Sequence, residues 1–198
     1  MSRKIKAANL WKQAWNLIFA GLNTPGHPFG TPSVATCGSD GVPRQRTLVL
    51  RNADRASGSL RAYTDNRSIK MTHLAHAPRV ASWLFWDPES RIQLTASGPT
   101  LAVPRTEEQA IFQSLPKHSR RAYATELPPG TPTSQAQCGL PATWDALSLE
   151  ETDYGEANFR VLETRIHRAE VLQLDRDGNV RLVAHRSRDD WALQWVVP

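Results

Sequence analysis

Apolar residues recur at helical spacing near the start of the chain. Ile5, Trp11, Trp15, Ile18 and Leu22 fall on one face of a helix over residues 4–21, with Gly21 and Pro25 set to end it. Residues 24–32 are rich in proline and glycine and read as loop. The period then changes to that of strands. Residues 33–37 and 46–50 flank a turn at Ser39-Asp40-Gly41, and a second turn over 54–58 returns the chain to a strand over 59–64. A short helix over 66–77 stops at Pro78. Residues 80–86 are nearly all apolar, as in a strand covered on both faces. In residues 91–97, Ile92, Leu94 and Ala96 alternate with Arg91, Gln93 and Thr95, which gives one core face and one polar face.

The second half is more broken. Thr106-Glu107-Glu108-Gln109 has the form of a capping box, opening a helix that runs to Leu115, and a further helix covers 118–126. Residues 127–142 are rich in Pro, Thr and Gln and show no period; so long a loop is usually functional, partner-bound or disordered. Strands over 159–166, 171–174 and 180–184 follow, with a turn at 175–179, and an apolar strand over 191–197 ends the chain. Six or more antiparallel strands at meander spacing with a few helices predict one mainly β domain over residues 1–198. The expected architecture is a β-barrel with peripheral helices and an irregular stretch at about 127–157.

Length and charge narrow the function classes. A chain of 198 residues suits one sizeable core. No apolar run is long enough to span a bilayer, and Met1-Ser2-Arg3-Lys4 leads into no signal-like apolar segment, so a cytoplasmic protein without membrane contact is expected. Cys37 and Cys138 lack ligand spacing and read as free thiols. The net charge of +5 suits either nucleic acid or a small anionic ligand. It is scattered in ones and twos with no basic tract, which favours a small ligand or an ordinary charged surface over nucleic acid. His73 and His76 sit three apart without a third ligand and read as a solvated helix face, with no metal site. No dinucleotide fingerprint, phosphate loop or nucleophile elbow is present.

Three segments carry candidate chemistry. At the junction Tyr63-Thr64-Asp65-Asn66-Arg67-Ser68-Ile69-Lys70, a strand gives way to a helix whose first turn holds a lysine. A cation there opposes the helix dipole, and an anion held by Thr64, Ser68, Lys70 and free amides would offset it; otherwise Lys70 simply extends into water. Arg46 and Arg51 bracket Thr47-Leu48-Val49-Leu50. Guanidinium forks suit phosphate, but strict alternation puts the two on opposite faces, so the strand bulges or each arginine meets a different part of a ligand. Gln93 lies on a polar strand face, where an amide could meet the edge of a planar ring or merely face water.

The order and spacing of these segments resemble the pyridoxamine 5'-phosphate oxidase-like flavoproteins, over residues 30–126 and more loosely over 156–198. The resemblance implies a split β-barrel that binds FMN through Arg46, Thr47, Leu48, Val49, Leu50, Arg51, Tyr63, Thr64, Ser68, Lys70 and Gln93, with Ser119 and Arg186 matched further along. It also implies a homodimer with FMN at the interface and oxidoreductase chemistry on a small molecule. A working pyridoxamine 5'-phosphate oxidase and a non-catalytic flavin-binding module are the alternatives. Departures from the family pattern fall at Ile69 (a phosphate arginine), Glu156 (a tryptophan near the flavin), and Ile111 and Leu115 (the tyrosine and arginine that hold pyridoxal phosphate). No side chain stands out as a general acid or base, and His185 with Arg186 are the expected substrate contacts.

Overall fold

The computed structural model describes residues 6–188 and 190–198. Helix α1 (Ala7–Asn23) buries Leu10, Trp11, Ala14, Trp15 and Ile18, a stripe at spacings of three and four that faces the barrel. Of the expected helical positions, Ile5 lies outside the described residues. Gly21 does not end the helix. It lets the last turn approach the Phe29–Gly30 backbone, where a Cβ would come within 2.5 Å of the Phe29 carbonyl carbon.

Ten strands are described, each antiparallel to its neighbours: β1 (Ser33–Cys37), β2 (Pro43–Thr47), β3 (Leu50–Asp54), β4 (Ser59–Asp65), β5 (Val80–Asp87), β6 (Ile92–Leu101), β7 (Phe159–Arg165), β8 (Arg168–Gln173), β9 (Val180–Ser187) and β10 (Asp190–Val196). One path runs β10-β9-β8-β6-β5-β1-β2, and a second, β3-β4-β7, joins it at β6. The result is a split barrel with Trp83, Phe85, Leu94, Ala96 and Leu162 in its main core. Trp83 Nε1 donates across the interior to Thr164 Oγ1 at 3.0 Å, so a fully buried indole keeps its hydrogen bond.

The strand expected over 46–50 is two strands. The Leu48 amide still donates to Pro32 beside β1, whereas Leu50 already pairs with Ala62 on β4, so the chain changes sheets between them. A bulge between Leu50 and Asn52 then leaves Arg51 out of register. β5 is not covered on both faces: Ala81, Trp83 and Phe85 are buried, but Val80, Leu84 and Trp86 are 40%, 37% and 41% exposed. β8 starts three residues before the expected run and ends one residue short of it, and β9 runs three residues past its expected end.

The helices are shorter than expected. α2 spans Ile69–Ala75. Residues 66–68 are a turn instead, because the Asp65 carboxylate accepts the Arg67 amide at 2.7 Å. α3 (Arg105–Gln113) starts one residue before the proposed capping box, with Pro104 at its N-cap and no side-chain cap. Gln109 does not reach back; its amide donates to Glu156 at 2.9 Å. α4 is only Lys117–Arg120, followed by a 3-10 turn at Arg121–Tyr123. Within 127–157 the backbone holds 3-10 turns at Trp144–Ala146 and over Glu150–Asn158.

These elements enclose a second, aromatic core of Phe112, Tyr123, Phe159 and Val161. Beneath it Arg120 is almost fully buried and fully engaged. It donates to the carbonyls of Gln113, Leu115 and Leu149, to Thr152 Oγ1 and to Asp153 at 2.6 Å, and its guanidinium lies 4.5 Å from the Phe112 ring centroid. A buried charge is tolerable only when satisfied in this way.

The barrel closes where β6 changes partners. Ile92 to Ser97 pair with β8, whereas Thr100 and Leu101 pair with β7. At the crossing, a Cβ on Gly98 would stand 1.9 Å from the Arg165 carbonyl oxygen. The substitution Gly98→Ala is therefore expected to cost about 3 kcal/mol, the upper end for overpacking, since the obstacle is backbone. Denaturant unfolding checks this, and a loss below about 1 kcal/mol would contradict the close approach.

Candidate functional site

The junction between β4 and α2 gathers the donors that the sequence suggested. Lys70 Nζ donates to Thr64 Oγ1 at 2.8 Å and to Ser68 Oγ at 2.9 Å. Ser68, the N-cap of α2, passes its own hydroxyl proton to the Asp65 carbonyl at 2.6 Å. An ammonium has three donors, so one remains. Lys70 does not reach freely into water: burial and then the nearby Arg46 guanidinium hold its pKa below the ordinary value of 10.5, with Asp65 opposing. That Asp65 is itself tied to Arg67 by a 2.7 Å ion pair.

Arg46 projects from β2 opposite Val34, and its Nη1 donates to the Val34 carbonyl at 3.1 Å and to Thr36 Oγ1 at 2.9 Å. Burial, then Arg44, lowers its pKa. Two cations thus share a partly buried corner with hydroxyls and no carboxylate hydrogen-bonded to either, among the described residues. Such a donor set suits a phosphate. Thr36 and His73 adjoin this corner, and the sequence marked neither as part of it. Thr36 Oγ1 also contacts His73 Nδ1 at 3.0 Å, and His73 is buried, not on a solvated face as its spacing suggested. A threonine on a five-residue strand carries no signature of its own. Among the described residues no three potential ligands gather for a metal.

The other matched residues divide among three places. Thr47 and Val49 are exposed, Leu48 packs against the main core, and Leu50 is buried. Arg51 is exposed in its bulge and lies 5.4 Å from the Tyr63 ring centroid. Burial raises the pKa of Tyr63 against the pull of Arg51 and then Arg61, and burial pushes Tyr123 up to about 12, so both phenols remain neutral donors. Gln93 sits on the outer face of β6, between Trp86 of β5 and Leu172 of β8. The next residue along that row is Arg181 on β9, which stands 3.5 Å from Glu170 and whose Nε is buried without a hydrogen bond. Strand register alone brings Arg181 into line with Gln93, and register is not visible in the sequence.

Ser119 and Arg186 stay apart from the Lys70 corner within one chain. Ser119 is half-buried on α4, which packs on the 3-10 turns after it, whereas α2 packs on β1. Arg186 lies at the far end of the barrel, donating to the Ala56 carbonyl at 2.6 Å. Of the departures from the family pattern, Ile69 is 55% exposed at the start of α2, and the other three have close neighbours. Ile111 and Leu115 pack against the aromatic core, and Glu156 accepts from Gln109 and Gln113. Lys117, a possible stand-in for the missing cation, is engaged by the carbonyls of Asp145 and Leu147.

Residues 9–103 match the family model described as pyridoxamine 5'-phosphate oxidase, FMN-binding domain. A pyridoxine/pyridoxamine 5'-phosphate oxidase of Kineococcus radiotolerans is 37% identical over 127 residues, covering 63% of this chain and 53% of the relative. One of Vibrio cholerae is 33% identical over 58% of this chain and 50% of the relative. The chain thus spans about half the length of the curated relatives it matches. Among solved structures, a pyridoxamine 5'-phosphate oxidase-related, FMN-binding protein of Nostoc punctiforme superposes with a TM-score of 0.76 at 21% identity, over 95% of this chain and 97% of the other. PhzG of Burkholderia lata gives 0.71 at 17% identity, over 100% and 95%. The match over residues 9–103 and the split barrel agree: residues 9–103 belong to the pyridoxamine 5'-phosphate oxidase FMN-binding domain family, on the split-barrel fold of FMN-binding proteins, and FMN is the cofactor of that domain.

Proposed function

We propose that this protein is an FMN-dependent oxidoreductase acting on a small molecule that carries less negative charge than pyridoxamine 5'-phosphate. The observation that carries the reading is the Lys70 corner. Two partly buried cations and two hydroxyls, Lys70, Arg46, Thr64 and Ser68, converge with donors unspent. In this reading they hold the FMN phosphate. Thr47 to Leu50 supply backbone near the flavin, and Arg51, Tyr63, Gln93, Ser119 and Arg186 are the remaining candidate contacts carried by the family match. Bound FMN supplies hydride or electron transfer; the protein orients the ring and sets its field. Exposed free thiols at Cys37 and Cys138 suit a reducing, cytoplasmic setting.

Lys70 gives this reading a pH signature. Its folded-state pKa is depressed, so the unfolded chain binds more protons between that value and 10.5, and the lysine's cost to stability is lifted as pH rises through that window. A phosphate dianion favours the ammonium and restores the pKa. FMN affinity is therefore expected to fall over the same alkaline window while riboflavin affinity, measured in parallel, does not follow it. In Arg46→Ala/Lys70→Ala, FMN should weaken about a hundredfold and riboflavin little, as two charge-assisted contacts are lost. Fluorescence titration that finds both flavins equally affected would remove the phosphate from this corner.

A homodimer is part of the proposal. The exposed Val80, Leu84 and Trp86 stand in register beside Gln93, Thr95 and Pro99, forming an apolar band next to a candidate flavin contact. A second copy covering that band would also bring together groups that one chain holds apart. Light scattering should report twice 22.1 kDa, and Leu84→Glu/Trp86→Glu should yield monomers with weakened flavin retention. A parent protein that stays monomeric with FMN bound would refute this.

The substrate expectation rests on Ile111 and Leu115, which pack on the aromatic core and donate nothing. Two absent charge-assisted contacts amount to a loss of about two to four powers of ten in affinity for a phosphorylated pyridine. Arg51 is exposed and could restore part of it. The fold admits such a ligand change: the Burkholderia protein was solved with tetrahydrophenazine-1-carboxylic acid. Weak or absent formation of pyridoxal phosphate is expected from FMN-loaded protein, with the flavin still reducible anaerobically and reoxidised by oxygen. Turnover at an ordinary enzyme's rate would make it a pyridoxamine 5'-phosphate oxidase, and an inert flavin a non-catalytic flavin-binding module.

A further inference from the structure

At the end of the barrel away from Lys70, three turns meet around an open cleft of about 580 Å³. Its walls are Arg165 at the end of β7, His167 in the turn to β8, Arg186 and Arg188 at the end of β9, and Ala56 and Ser57 between β3 and β4. Three guanidinium groups and an imidazole line it, and no carboxylate does, among the described residues. Asp54, the acidic group that feels Arg186, is committed to the turn: its Oδ1 accepts the Ala56 amide at 2.8 Å, and Ser57 also bonds it.

Arg186 is set like a fixture. Its Nη2 donates to the Ala56 carbonyl at 2.6 Å, its Nε to the Arg188 carbonyl at 3.0 Å, and its guanidinium lies 5.3 Å from the Trp191 ring centroid. The remaining nitrogen, Nη1, packs against Gly58 and, among the described residues, makes no hydrogen bond. A guanidinium already held in place loses little freedom when it binds. Arg165 and Arg188 are exposed at two sides of the cleft.

We infer that this cleft is a second anion site, taking a phosphate-bearing small molecule of at least two negative charges. Several convergent cations repel one another unless an anion lies among them. Arginine forks match tetrahedral phosphate oxygens in pairs, which a single carboxylate would leave partly unused. Single-stranded nucleic acid is disfavoured because, among the described residues, no Phe, Tyr or Trp side chain lines the cleft for bases to stack on. The site is separate from the FMN phosphate corner, and it gives Arg186, matched above as a flavin contact, to the second anion instead. β4 starts beside the cleft at Ser59 and reaches the corner at Thr64, five residues on, which is on the order of 17 Å of strand.

The test uses FMN-loaded protein, so that the flavin corner is filled, and pyrophosphate as the probe at constant ionic strength. Calorimetry should find one pyrophosphate per chain with a dissociation constant of about 0.1 mM or tighter. Inorganic phosphate should bind more weakly. In Arg165→Ala/Arg188→Ala, whose parent side chains are exposed, pyrophosphate should weaken about a hundredfold while FMN content and the flavin spectrum are unchanged. Arg186→Gln should also weaken it. No saturable heat, or binding that survives the double substitution, would overturn the site. An oligothymidylate that displaces pyrophosphate and binds more tightly would overturn the ligand class.

Discussion

The contact between Gly98 and the Arg165 carbonyl is the constraint on which the rest of the barrel depends. At that point β6 stops pairing with β8 and starts pairing with β7, and two backbones come closer than any side chain permits. Because β7 also pairs with β4, the crossing fixes the long axis of β4 against the main sheet. One end of β4 then delivers Thr64 to the Lys70 corner, and the other delivers the turn before Ser59 to the arginine cleft. Two chemically distinct ends of the molecule are held apart by one strand, which β3 and β7 flank on either side.

The Lys70 corner shows the opposite economy. Nothing about it is optimal for a ligand-free chain: a lysine in the first turn of a helix, an arginine across from it, and the nearby carboxylate of Asp65 already bound to Arg67. Local rules favour an acid at a helix start. Their violation, together with hydroxyls from Thr64, Ser68 and Thr36 in hydrogen-bond reach, is what a site that takes its anion from a ligand looks like.

This corner was legible in the sequence because it is local. Tyr63 to Lys70 is a single strand-to-helix passage, and eight consecutive residues contain the strand end, the turn, the cap and the cation. Alternation also marked Ile92, Leu94 and Ala96 as core, and they are buried. What eluded the sequence is non-local. Arg181 joins Gln93 only through the register of three strands. His73 is buried because Thr36, 37 residues earlier, accepts its company. The apparent capping box failed for a similar reason: Gln109 found a better partner in Glu156, 47 residues away. β5 misled in another way. Its near-continuous apolar run suggested burial on both sides, yet half of it faces out of the chain, so hydrophobicity marked surface to be covered without saying by what.

The Arg120 clasp gives the irregular segment an unexpected robustness. One guanidinium bonds the backbone on both sides of the 127–142 stretch, at Gln113 and Leu115 before it and Leu149 after it, with Thr152 and Asp153 adding side-chain acceptors. The Glu126 amide and Gly139 carbonyl pinch the base of the same stretch. The aromatic core is likewise built from both sides, with Phe112 and Tyr123 meeting Phe159. The peptide bonds between residues 127 and 142 therefore contribute little to holding the two halves together. A protease that nicked this exposed span would leave two fragments docked as one particle, and natural insertions or deletions there would be absorbed without disturbing the barrel.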